Sequence, residues 1–441
     1  MIERNLYLNK LKSLMHNNRA KVITGIRRCG KSYLIKNIFK DYLLRQGVRE
    51  DHIIYLALDD IANNRFLNPM ELDTYLRNLI IDEEMYYFLL DEIQRVYTIV
   101  DPIFTDGKIK LAKKEDVATI GFMNVVNGLI QIPNVDVYVT GSNSKFLSKD
   151  IMTEFRDRGD EIRMYPLSFM EIVESSKPTD LERAFSEYMM YGGMPLVQTF
   201  KTDEEKRGYL NRLFEMTYKR DIEERNNIKN PQDLSMLIQV MASNVSSLVN
   251  PTTIANTFNS KLKLKIDRTT VSRYLECLED AFILTKVNRW DIKGRKIIGA
   301  NYKYYFEDIG LRNSRLDYLH RDDGRVMENI IYNELVRRGY SVQVGYLETY
   351  AKNKENKTVR NILEADFVVS NGIQEWYIQS AYELHSLEKE EQESKSLLNI
   401  PNSFKKIIIT RDSSPIRRDE KGIIYLGVKD FLLEEHILEI I

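Results

Sequence analysis

Two patterns in the 441-residue sequence have the residue types and spacing to do chemistry on a phosphate. The first is Gly25-Ile26-Arg27-Arg28-Cys29-Gly30-Lys31-Ser32, a Gly-x-x-x-x-Gly-Lys-Ser loop. Its glycines let the backbone curl so that amides face an anion, and a helix opening at the loop's end adds a favourable field. Lys31 is then expected to meet the β- and γ-phosphates and the Ser32 hydroxyl to ligate Mg²⁺, so ATP and Mg²⁺ are the expected cofactors. Arg27 and Arg28 add positive field within the loop. The second pattern is Phe88-Leu89-Leu90-Asp91-Glu92. An apolar strand ending in Asp91 brings a carboxylate to the metal, and Glu92 beside it is the expected general base that polarises the attacking water.

Three further positions are candidates for the same chemistry. Val139-Thr140-Gly141-Ser142-Asn143 ends another apolar run, which makes Asn143 the candidate sensor of the γ-phosphate, with Ser142 second. The competing reading is a plain turn, because Gly-Ser-Asn is turn chemistry. Arg156 and Arg158, in Phe155-Arg156-Asp157-Arg158-Gly159-Asp160, are candidates to stabilise charge developing on the γ-phosphate, in cis or from a neighbouring subunit. The competing reading for both is solvated surface. Arg220, in Tyr218-Lys219-Arg220-Asp221, is a weaker candidate.

The elements that must position these residues follow from the spacing of apolar runs. Val22–Thr24, His52–Ala57, Tyr86–Leu90, Val135–Val139 and Glu161–Tyr165 read as strands, and helical patterns separate them. Continuous apolar runs of that length suit a parallel sheet covered on both faces. Asp106-Gly107, within Val96–Ile120, reads as the turn of a small inserted hairpin. From Leu181 to about Gln239 the pattern is helical and charged, with a breaker at Tyr191-Gly192-Gly193-Met194-Pro195, as expected of a helical lid.

Beyond residue 250 the pattern changes twice. Pro251-Thr252-Thr253 and Asp267-Arg268-Thr269-Thr270 each open a short helix, and strand-like runs then flank Asp291-Ile292-Lys293-Gly294-Arg295. Helix, helix and two-stranded wing is the order of a winged helix. Lys261, Lys263, Lys265, Arg268, Arg273, Arg289, Lys293, Arg295 and Lys296 give it local positive charge for DNA, although winged helices also dock proteins. After it, an amphipathic helix over Val326–Arg338 and four strand-like runs imply a mixed α/β domain.

The bulk numbers set limits. A net charge of −1 excludes a whole-chain electrostatic case for nucleic acid. Cys29 and Cys277 are the only cysteines, which excludes a disulfide framework and fits a reducing compartment. The first residues lack a signal-type apolar stretch and no run is long enough to span a membrane, so a cytoplasmic location and no membrane partner are expected.

Taken together, Ile23–Ser32, Leu89–Gln94 and Val139–Ser144 resemble the prokaryotic AAA-type ATPases of the AAA+ superfamily, close to its archaeal-type and STAND-like branches. Tyr165–Phe169, Gly192–Pro195, Tyr218–Ile222 and Lys303–Asn313 extend the resemblance over nearly the whole chain. The last of these blocks resembles part of the domain of unknown function that ends such proteins. The resemblance implies an AAA-type P-loop core at 1–175, a helical lid at 176–248, a winged helix at 249–315 and a restriction-endonuclease-like domain at 316–441. The resemblance bears on how ATP is handled; the expected function is an ATP-hydrolysing switch whose nucleotide state moves the C-terminal modules, with DNA through the winged helix, a protein partner or a second copy as the expected partner.

A nuclease of that fold needs a helix glutamate, a strand aspartate and an acidic-x-Lys strand holding a metal. Glu328 and Asp366 match the first two, but Gln379 stands for the carboxylate and Ala381 for the lysine. The expectation is a weak, degenerate site in a fold kept for structure or contact, with an ATP-gated nuclease as the alternative. A sensor that holds ATP without hydrolysing it is the other.

Overall fold

In a computed structural model of the chain, the five expected parallel strands form one sheet. They are β1 (Ala20–Thr24), β2 (Ile53–Ala57), β3 (Tyr86–Asp91), β4 (Val135–Thr140) and β5 (Gly159–Arg163). The structure describes residues 2–113, 115–141, 158–261, 266–319, 322–352, 358–384, 386–412 and 415–441. Asn143, Ser142 and Arg156 lie outside the described residues, as do Lys263 and Lys265. The sheet order is β2-β3-β4-β1-β5, all parallel. Every residue of β1, β3 and β4 is buried, which is why their runs carry no alternation. Because the strands are parallel, the loop after β1, the end of β3 and the end of β4 meet at the same edge of the sheet.

The insertion after β3 contains the expected hairpin feature. Ile99–Val100 pairs antiparallel with Thr119–Ile120, and Asp106 and Gly107 turn the chain at φ 51° and φ 78°.

The chain divides into two compact units, residues 1–165 with 280–282 and residues 166–279 with 283–441. The second unit begins with helices, including α1 (Leu181–Tyr191) and α2 (Pro231–Ser243). Next come the two helices expected of a winged helix, α3 (Pro251–Lys261) and α4 (Arg268–Asp280). The strands after them are β6 (Leu284–Asp291) and β7 (Lys296–Phe306). The C-terminal part adds α5 (Asp323–Arg337), β8 (Ser341–Lys352), β9 (Thr358–Ser370), β10 (Glu375–Ala381), α6 (Leu387–Leu398), β11 (Lys405–Thr410) and β12 (Ile423–Gly427).

These strands do not stop at the expected boundary near 315. β6 pairs parallel with β8 from Arg289↔Val344 to Asp291↔Tyr346, so the strands of the expected wing and the C-terminal strands belong to a single nine-stranded sheet. A non-local parallel pair leaves no local sequence signal, which is why the two modules read as separate. Its core includes Tyr305, Ile331, Leu335, Phe367, Trp376 and Ile409.

The blocks Tyr191–Pro195 and Lys303–Asn313 lock together in this unit. The Asp308 carboxylate accepts the Gly193 amide at 2.7 Å and the Leu311 amide at 3.0 Å. Gly192 has φ 67°, and a Cβ there would stand 2.4 Å from the Asp308 carboxylate. Gly310 fits only as glycine, since its Cβ would meet the Tyr191 carbonyl at 2.0 Å. Burial pushes the Asp308 carboxyl up to about 6, against the pull of the Gly193, Leu311 and Gly310 amides.

Candidate nucleotide-binding site

The loop after β1 owes its curl to three left-handed residues: Gly25 at φ 137°, Arg28 at φ 70° and Gly30 at φ 106°. Gly25 is also pressed against the strand-end backbone, where a Cβ would be 2.0 Å from the Met164 carbonyl. Helix begins at Lys31–Tyr33, widens to a π-helical stretch over Leu34–Phe39 and continues as Lys40–Arg45. The Lys31 ammonium is folded into the loop, donating to the carbonyls of Gly25 at 2.9 Å and Ile26 at 3.1 Å.

A brace not foreseen from sequence holds this loop. The buried Arg4 guanidinium donates to the Cys29 carbonyl at 3.2 Å and the Tyr165 carbonyl at 2.6 Å. The Tyr165 amide in turn donates to the Tyr7 hydroxyl at 3.0 Å. Ile26 and Cys29 are fully buried, so they set the loop's shape, while Arg27 and Arg28 face solvent to differing degrees.

Asp91 is the hub of the site. The Ser32 hydroxyl donates to Asp91 Oδ1 at 3.0 Å, the Thr140 hydroxyl donates to the same oxygen, and the Tyr55 hydroxyl donates to Oδ2 at 2.9 Å. The carboxylate is buried, and burial followed by the Asp91 charge raises the Tyr55 phenol above its ordinary value, so Tyr55 stays a donor. A serine hydroxyl and a carboxylate oxygen 3.0 Å apart are hard oxygen donors that fit Mg²⁺. Glu92 follows in the left-handed region at φ 54°, which turns it out of the strand direction. Its amide donates to Thr140 Oγ1 at 3.0 Å, and its carboxylate accepts from the Gln94 side chain.

The structure therefore brings together Gly25 to Ser32, Asp91 and Glu92, and it adds Thr140, Tyr55, Gln94 and Arg4. Arg158 is not with them. Its carbonyl accepts the Ala20 amide at 2.8 Å, which puts it at the N-terminal edge of β1 and β5. The phosphate loop is at the opposite edge, about 17 Å away along a five-residue strand. A cis role is out of its side chain's reach, and the strand that starts directly after Arg158 is the reason. Arg220 pairs with Glu224 at 2.6 Å on an exposed helical surface of the second unit.

In that unit Glu328, Asp366 and Gln379 do converge. The Asp366 amide donates to Gln379 Oε1 at 3.3 Å, and the Ser380 amide donates to Asp366 Oδ2 at 2.9 Å. Lys303 joins Glu328 to Asp366, a residue the sequence reading did not place there. Among the basic residues of the expected winged helix, Arg289 is buried over the Tyr346 ring at 4.5 Å, whereas Arg268, Arg273, Lys293, Arg295 and Lys296 are exposed.

Comparison with known proteins bears on the same residues. A protein of Haemophilus influenzae, itself uncharacterized, is 32% identical over 439 residues, covering 98% of this chain and 99% of its own length. The chain belongs to that protein's family. An uncharacterized protein of Methanocaldococcus jannaschii is 26% identical over 444 residues, covering 96% of this chain and 87% of its own.

Within the family chain, residues 17–173 match the model of an AAA domain, which contains the whole phosphate-loop site. Residues 182–321 match a domain of unknown function, DUF8612. That match runs across the expected lid and winged helix and ends at 321, so the Lys303–Asn313 block belongs to a middle domain rather than one ending the chain. A solved Walker-type ATPase of Pyrococcus abyssi is similar at 14% identity and a TM-score of 0.42, covering 72% of this chain and 96% of that one. The parallel sheet and its phosphate loop thus lie within the AAA-domain match. Among the described residues no helix is long and apolar enough to cross a membrane.

Proposed function

We propose that this chain hydrolyses Mg-ATP at the Gly25–Ser32 loop and uses the nucleotide state to move its second unit. One observation carries the reading: Thr140 hydrogen-bonds both the Asp91 carboxylate and the Glu92 amide, while Ser32 bonds the same carboxylate. In this reading the proposed metal ligands and the candidate base are linked through Thr140 at the C-terminal edge of the sheet.

In this mechanism the loop amides and Lys31 hold the phosphates, and Ser32 and Asp91 hold Mg²⁺, which neutralises phosphate charge when bound. Glu92 takes a proton from the attacking water, and Gln94 orients its carboxylate. Asn143 is the proposed sensor of the γ-phosphate. Arg156 and Arg158 are proposed to serve a neighbouring subunit's site, the exposure of Arg158 itself supporting that assignment. A lid, a winged helix and a nuclease-like fold without cleavage are proposed for the second unit from element order and the resemblance above. DNA is the proposed partner because Arg268, Arg273, Lys293, Arg295 and Lys296 are exposed around the wing.

The test is phosphate release from Mg-ATP, with and without duplex DNA. Glu92→Gln is expected to bind ATP and lose turnover by at least about a hundredfold. Turnover at the parent rate would remove Glu92 as the base. An identical parent rate with and without duplex at low salt would count against DNA as the partner.

A further inference from the structure

Strand β7 alternates, so Lys303 and Tyr305 face one side of the sheet and Tyr304 the other. On that side the Lys303 ammonium lies 2.8 Å from Glu328 Oε1, 2.9 Å from Glu364 Oε1 and 3.2 Å from Asp366 Oδ1. An ammonium has three donors, and three carboxylate oxygens surround this one. The Tyr305 hydroxyl donates to Glu328 Oε1 at 2.8 Å, and its ring stacks on Tyr332 at 4.1 Å, which fixes the glutamate from below. Lys303, Glu328 and Asp366 are buried, while Glu364 is partly exposed.

Elementary electrostatics explains the arrangement. Carboxylates gathered out of water need a compact cation between them. In oxygen-only sites that cation is ordinarily a divalent metal drawing its ligands to within about 2.0–2.6 Å. Here the cation is covalently tethered, and its wider oxygen shell is the shell of an ammonium. A cavity of about 1250 Å³ opens beside the cluster and is lined by Glu328, Ser380, Lys389 and Glu393. Solvent cations therefore have access, yet the central position is taken.

We propose that Lys303 is a built-in cation that fills the metal position of the Glu328–Glu364–Asp366 cluster. The ammonium holds the carboxylates together without metal, and the second unit is a binding module rather than a metal-dependent nuclease. This is independent of ATP hydrolysis in the first unit.

The experiment is Mn²⁺ binding by the full, nucleotide-free chain, followed by electron paramagnetic resonance and by thermal melting. The parent and Asp366→Asn are expected to bind the same number of Mn²⁺ ions. Lys303→Gln is expected to gain one Mn²⁺ per chain, to lose it again when combined with Asp366→Asn, and to melt several degrees higher with Mn²⁺ than without. A parent Mn²⁺ site that Asp366→Asn abolishes would overturn the proposal, as would a folded Lys303→Gln that gains none. If Lys303→Gln does not fold, the comparison of the parent with Asp366→Asn still decides.

Discussion

Thr140 and Asp91 share a hydrogen bond across adjacent strands, and the same threonine oxygen accepts the amide of Glu92 at 3.0 Å. One hydroxyl thus ties the carboxylate proposed to hold metal to the backbone of the candidate base. Thr140→Val keeps the shape and removes both bonds. Bonds to a charged group contribute about 1.5–3 kcal/mol, which corresponds to roughly ten- to a hundredfold in rate. ATP binding, set mainly by the Gly25–Ser32 loop, is expected to stay within about threefold of the parent. Phosphate release together with the affinity for a fluorescent ATP analogue checks the split; equal losses in both would assign Thr140 to binding instead.

Arg4 acts on the same loop from a distance. Its guanidinium anchors the Cys29 and Tyr165 carbonyls, one in the loop and one just after β5. Arg4→Ala is expected to loosen the loop and weaken ATP affinity by about tenfold, with a much smaller change in turnover at saturating ATP. Arg4→Lys, which cannot make the forked contact, is expected to recover only part of the affinity. Steady-state kinetics separates the outcomes, and a fall in kcat equal to the rise in KM would contradict the loop-bracing role.

Beneath the site lies a buried ion pair that bears on stability alone. Lys21 of β1 and Asp136 of β4 are paired with both side chains almost fully buried. Asp136 also accepts the Tyr138 hydroxyl at 2.8 Å and the His16 amide at 3.1 Å. Burial lowers the Lys21 ammonium's pKa, with Asp136 opposing it. Asp136→Ala leaves an uncompensated buried cation and is expected to cost about 3–5 kcal/mol. Lys21→Met with Asp136→Leu is expected to recover most of that. Urea unfolding monitored on the first unit decides; a double variant as unstable as the single one would mean the pair supplies net stability.

The sequence was most legible where function and local pattern coincide. The five parallel strands are buried runs between turns, and the loop, Asp91 and Glu92 sit at their ends, so spacing alone located them. Thr140 carries no such signal, since the polar turn residues Ser142 and Asn143 follow just beyond the strand. Its hydroxyl matters only because β4 lies between β1 and β3, and strand order is not written locally. Lys21 and Asp136 look like interruptions of apolar runs until the register brings the strands together. Lys303 stands 25 residues from Glu328 and 63 from Asp366, so no motif could join them. The β6–β8 pairing is of the same kind, and it hid the continuity of the second sheet. Arg158 is the instructive case, since a strand starting at Gly159 already places it at the edge away from the phosphates.

Asp308 gives the second unit a pH dependence whose sign is fixed by its environment. Its carboxyl is raised from 3.8 to about 6 by burial, so between those values the folded chain holds a proton that the unfolded chain has released. Stability from this group is therefore greatest at low pH and falls as pH rises through about 6. From about pH 5 to about pH 7.5 the loss amounts to about 1.4 kcal/mol. Asp308→Asn removes the titration but also one acceptor, because its amide NH₂ would face either the Gly193 or the Leu311 amide. The variant is expected to be less stable than the parent at every pH, with a gap that narrows by about 1.4 kcal/mol across that window. Denaturant midpoints of both proteins at the two pH values measure it directly. A gap that widens toward about pH 7.5 would mean that the Gly193, Leu311 and Gly310 amides outweigh burial and that the ionised form is the one the fold prefers.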